Sequence, residues 1–246
     1  MEILSQFLLR LAFGLAVGMA ITSPQKVYSG FYRNHLYVTL GLTTLAALVL
    51  AKWLMPAAVF AGSAAVFSFI GAAAWLYEAK RLGVVLIVVV AICSLVAAFG
   101  GLMAAGTADA FNATALVTSG LVLGLTFAAM LLGHWYLNAP GMEMAPLRKL
   151  LIAAAIAVVA QIVVVGAGLI AEGTHRPSVG YDWLIFVTLR WSFGLFGVLG
   201  LLWMAWQTLK IPNTQSATGI LYVAVIGVFI GELTGLLLSA ESLYPL

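Results

Sequence analysis

Eight runs of about 20 apolar residues follow one another along this chain of 246 residues, roughly 3–22, 35–55, 57–77, 83–105, 113–136, 149–172, 182–208 and 217–240. A helix of about 20 residues crosses the hydrocarbon core of a bilayer. Lipid offers no partner to an open backbone N–H or C=O, so a spanning segment is either a helix or part of a closed barrel. Barrel strands read as segments of about 10 residues with alternating polarity, whereas Val84–Val90 is apolar on every side. The expected fold is therefore all-α: a polytopic transmembrane bundle forming one integral membrane domain over residues 1–246. Ser23–Pro24, Pro56, Pro140, Pro146, Pro177 and Pro212 punctuate the short connections, as residues that cannot continue a helix should.

Composition excludes several classes of function. The chain is 64% hydrophobic and 8% charged, against about 45–50% and about 25% in soluble domains, and no segment is long enough for a soluble catalytic head. The net charge of +3 comes from 11 basic residues scattered singly, so no basic patch for nucleic acid exists. Cys93, the single cysteine, lies inside an apolar run, which excludes an internal disulfide and a cysteine-ligated cluster.

Basic residues near span ends stay on the cytoplasmic side. With the N-terminus outside, the inner loops hold Lys26, Arg33, Lys80, Arg81, Arg148, Lys149 and Lys210, and the outer loops only Lys52 and Arg176. Both termini are expected on the outer side, together with Asp109, Glu172, Asp182 and Glu241, in a bacterial cytoplasmic (inner) membrane. Glu2 is the one charge ahead of the first run, which lacks the basic start of a signal peptide and reads as a retained helix.

Gly14/Gly18, Gly120/Gly124 and Gly227/Gly231/Gly235 place small residues four apart, the spacing that lets helix backbones approach. Trp53, Trp75, Trp135, Trp183, Trp203 and Trp206 fall near span ends and read as interfacial belts. The two halves of the chain show no internal duplication.

Charges inside a span cost roughly 2.5–3.5 kcal/mol each at a helix centre and need a partner or a purpose. Arg10, Arg190 and Glu232 stand about two turns below the outer ends of their spans, at one depth, with Gln161 roughly a turn deeper. A structural ion pair between Glu232 and one arginine is the plain reading. Two guanidiniums against one carboxylate leave a positive charge over, however, and a quinone carbonyl, a lipid phosphate, a haem propionate or a neighbouring subunit's carboxylate would complete the site.

His35 opens the second span and His134 closes the fifth, both toward the inner face. Two neutral imidazoles on different helices at one level suit bis-histidine ligation of haem b. Interfacial hydrogen bonding beside Trp135 and Tyr136 is the alternative. His175, beside Arg176 and Pro177, reads as solvated. No metal site other than haem iron, and no catalytic motif or arranged nucleophile, occurs. The polar segment Ile211–Thr218 reads as an N-cap region, with Thr214 or Ser216 satisfying helix donors, or as a docking loop.

At Gly231-Glu232-Leu233 the chain resembles the eight-helix membrane-anchor subunits of DMSO-reductase-type respiratory oxidoreductases and, more loosely, the polysulfide-reductase anchors. The resemblance covers the helix count, the orientation and this short stretch. It implies a quinone-facing anchor that hands quinol electrons to an iron–sulfur subunit, with a role for Glu232. The expected function is a membrane subunit of a respiratory or other electron-transfer complex, surrounded by lipid and partner subunits and handling quinone or haem, rather than a stand-alone enzyme. A small-solute or proton-coupled transporter and a purely structural or assembly subunit are the alternatives.

Overall fold

A computed structural model describes residues 2–139, 141–175, 180–211 and 213–246, with the backbone alone for residue 175. Among these residues there is no strand. Helices α1 (Glu2–Ile21), α2 (Ser29–Leu50), α3 (Met55–Leu76), α4 (Lys80–Ala104), α5 (Ala110–Asn138) and α6 (Ala145–His175) come first. The next long helix has three parts: α7 (Tyr181–Leu189), a π-helical stretch over Arg190–Gly197, and α8 (Val198–Thr208). Last is α9 (Thr214–Ala240).

Seven of these long helices, counting Tyr181–Thr208 as one, are long and apolar enough to cross a membrane. Helix α2 is long enough, but Arg33, Asn34, His35 and three threonines lower its mean hydropathy. Two of the three threonines are buried: Thr39 Oγ1 donates to Leu36 O at 2.9 Å and Thr43 Oγ1 donates to the carbonyl of Thr39 at 2.7 Å. This helix also begins earlier than its apolar run. It ends at Leu50 rather than residue 55, because Pro56 occupies the first turn of α3, where a missing N–H costs nothing.

Helices α1 and α5 form the centre, with 72% and 78% of their most apolar windows buried, against 28% for Tyr181–Thr208 at the periphery. On one side of this pair α2, α3 and α4 pack in sequence; on the other lie α6, α8 and α9. Between apolar helices in lipid there is no hydrophobic driving force, so close packing must hold them together. Glycine supplies it at the centre: a Cβ on Gly14 would overlap the carbonyl of Gly120, and one on Gly124 would overlap Gly14.

For description, the end of the bundle carrying Glu2 is the upper end and the end carrying Ile21 the lower. Two basic residues at the start of α6 tie down helix C-termini at the lower end. Arg148 Nη2 donates to Leu209 O at 2.8 Å, and Lys149 Nζ to Ile21 O at 2.9 Å. Cations suit the carbonyl ends of helices. Lys26 pairs with Glu143 at 2.7 Å beside them. At the upper end Asp109 caps α5, accepting from Asn112 N at 2.7 Å. That backbone hydrogen bond holds its carboxyl below the ordinary aspartate range.

Two expectations change. Trp75 is no belt residue: it is buried and stacks on Tyr32 with ring centroids 4.1 Å apart and planes 9° apart. The N-cap of α9 is Asn213, whose side chain accepts from Ser216 N at 3.0 Å; Thr214 and Ser216 lie already inside the helix. Glu172, the last residue of the sixth apolar run, is a buried member of α6. Its carboxylate accepts from Leu243 N at 3.0 Å and Tyr244 N at 3.4 Å, fastening the segment after α9 across the upper end. The connection at 176–179, with Arg176 and Pro177, and the side chain of His175 lie outside the described residues.

Candidate functional site

The charges that stood at one depth in the sequence converge. Arg190 Nη2 lies 3.7 Å from Glu232 Oε1, and both side chains are 3% exposed. Arg190 Nη1 also donates to Gly231 O at 3.1 Å. On the other side of the carboxylate, Ser119 Oγ donates to Glu232 Oε2 and accepts from Arg10 Nη1 at 3.2 Å. One carboxylate thus serves two guanidiniums, directly for Arg190 and through a hydroxyl for Arg10. Arg10 and Arg190 come from α1 and the π-helical stretch, Ser119 and Glu232 from α5 and α9.

Local backbone explains how a long arginine fits here. Gly194 and Gly231 bring the π-helical stretch and α9 into contact so close that a Cβ on either would overlap the other's Cα. The Arg190 guanidinium lies against Gly235, its Nη1 in the space a side chain there would take. Of the glycines on α9, Gly235 is therefore a cradle for a charged group as well as a packing position. The π-helical stretch itself is a local departure from regular helix, of a kind often found at functional sites.

Arg10, Arg190 and Gln161 line one cavity of about 330 Å³ at the upper end, together with Gln6 and residues of the segment after α9 such as Tyr244 and Leu246. Small-molecule sites begin at about this volume. Gln161 is buried, with Thr118 Oγ1 donating to its Oε1. Gln6 Nε2 donates to Ala98 O at 2.9 Å. Four buried polar atoms of residues around this cavity have no partner within the protein: Arg10 Nε, Arg190 Nε, Gln6 Oε1 and Ser242 Oγ. Buried polar groups are nearly always satisfied, so open ones gathered in one region mark it out.

Sequence reasoning passes over Ser119 and Gln6, reads Gly235 for helix packing alone and reads Glu172 for orientation alone. A polar side chain one turn from the glycine face of α1 or α5 was the available signal, since Arg10 precedes Gly14 by four and Ser119 adjoins Gly120.

The two histidines have separate neighbours. His35 is buried, its Nδ1 bonds the carbonyl of Phe31 on its own helix, and its ring lies 4.1 Å from that of Phe31. His134 is exposed and its Nδ1 lies 3.2 Å from the Tyr222 hydroxyl on α9. Nε2 of each ring is the nitrogen left for a metal. Among the described residues no three His, Cys, Asp or Glu side chains group as a metal site. Cys93 is a free thiol.

No protein-family model, no curated protein and no solved structure matches this chain.

Proposed function

We propose that this chain is an integral membrane subunit of an electron-transfer complex, and that its upper cavity receives the carbonyl head of a quinone. The observation that carries the reading is the pair of guanidiniums that line the cavity and share one carboxylate. A quinone offers carbonyl oxygens to such donors. A quinone also partitions into lipid, so it reaches a site within a bilayer without an aqueous route. The connections between helices are short, so electrons would pass to or from partner subunits, as the resemblance to the respiratory anchors implies. The excess of basic residues supports a cytoplasmic lower end, and a bacterial inner membrane is the setting this reading expects.

The test is titration of the purified chain in lipid nanodiscs with a short-tailed benzoquinone, followed by thermal unfolding. Saturable binding is expected, with a stabilisation of about 2.7 kcal/mol at a hundredfold excess over Kd. Gln161→Leu, which alters the lining without touching a charge, should weaken it. A folded protein with no saturable response to benzoquinones or naphthoquinones would refute the reading.

A further inference from the structure

We infer that the upper cavity selects a ligand bearing one negative charge on oxygen, over a neutral ligand of the same shape. The inference rests on the reading of this cavity as a ligand site and adds the charge state of what occupies it.

The charges around the cavity give the reason. Arg10 and Arg190 line it, and a guanidinium stays protonated in proteins. Among the described residues Glu232 is the one carboxylate within 4.0 Å of either. Glu2 also lines the cavity but is exposed, where water screens it. Glu172 is occupied by the backbone N–H groups of Leu243 and Tyr244. With Glu232 ionised, two positive charges face one negative, and the site carries one positive charge in excess.

Glu232 has little left to offer a ligand. One oxygen faces Arg190 and the other accepts from Ser119. The open hydrogen-bonding groups of the cavity residues are Arg10 Nε–H, Arg190 Nε–H, Gln6 Oε1 and the Ser242 hydroxyl. An anionic oxygen lying against the guanidiniums would accept from them and offset the excess charge. A neutral carbonyl would accept the hydrogen bonds and leave the buried charge uncompensated. In a setting of low dielectric that difference is large.

A matched pair of probes separates charge from shape: a 2-hydroxy-3-alkyl-1,4-naphthoquinone, whose enol is ionised at neutral pH, and its O-methyl ether. Both are titrated into the full chain in phosphatidylcholine nanodiscs, with tryptophan fluorescence as readout. The anion is expected to bind at least tenfold tighter. Arg10→Gln, which brings the site to neutrality, should cut the preference below about threefold. Glu232→Gln, which raises the excess to two, should enlarge it. The two variants move the preference in opposite directions, a pattern that general loss of folding does not produce.

Equal binding of the two probes would overturn the monoanion inference and leave the quinone reading standing. If neither probe binds, inorganic phosphate and formate are titrated instead. Their binding with the same dependence on Arg10 and Glu232 would keep the monoanion and end the quinone reading, and silence from all four probes would end both. Competition by phosphatidylglycerol added to the discs would assign the anion to a lipid head rather than to a soluble ligand.

Discussion

Gly235→Ala is the smallest change that should dismantle the site. Alanine is favoured over glycine inside a helix by about 1 kcal/mol, so helix propensity alone predicts a gain. The added methyl group, however, falls on the Arg190 guanidinium. Arg190 would have to leave, giving up its 3.7 Å approach to Glu232 and its 3.1 Å bond to Gly231 O. Breaking a buried ion pair costs about 3–5 kcal/mol because the abandoned charge stays buried. Subtracting the propensity gain leaves a net loss of about 2–4 kcal/mol. Reversible unfolding in mixed micelles with rising dodecyl sulfate, followed by circular dichroism, measures it. The control is the same substitution in an Arg190→Leu background, where no guanidinium occupies the cradle and the loss should shrink below about 1 kcal/mol. Equal losses in the two backgrounds would refute the argument, as would a Gly235→Ala protein as stable as the parent.

At the centre of the bundle, Gly124→Ala should cost about 1–3 kcal/mol by forcing α1 from α5. Gly62→Ala, with nothing within 4 Å of the new Cβ, should be neutral or slightly stabilising by the same unfolding assay. In a Cys93→Ala background, single cysteines at positions 80 and 148 should resist a membrane-impermeant maleimide on intact cells, while one at 109 should react. Labelling of 80 or 148 from outside would reverse the orientation.

How much of this was legible in the sequence depended on how unusual a residue is in lipid. Arg10, Arg190 and Glu232 stood out because each is costly among apolar neighbours, and depth counting brought them to one level before any coordinates. Ser119 did not stand out. A serine in a membrane helix commonly bonds its own backbone, and its place beside Gly120 marks closeness to α1 without naming it the bridge between Arg10 and Glu232. Gly235 was read for packing between helices, and its service to a guanidinium depends on where a distant side chain goes. Trp75 was placed by its position at a span end, which carries no information about Tyr32, 43 residues away, turning to stack on it. The π-helical stretch left no trace at all, since Arg190–Gly197 contains no proline and its apolar residues suit either winding.

That wider winding makes the long helix Tyr181–Thr208 two rods joined by a rotational offset. A turn closed from i to i+5 holds one residue more than an α-turn, so the faces above and below it are set independently. Arg190, at the head of the stretch, turns toward α9, and the lower rod lays Leu199, Trp203 and Trp206 along a groove with Leu151 and Ile152 of α6. Loss of a single residue within 190–197 would close a regular α-turn over the same arc and leave both faces where they are, whereas gain of one in the already widened stretch would turn one face about 100° away from its partner. Every apolar residue could remain in place, and the segment would still be greasy enough to insert. It would insert as a span whose charged end no longer meets its carboxylate, so the chain's tolerance of length changes is set in this stretch by angle rather than by hydropathy.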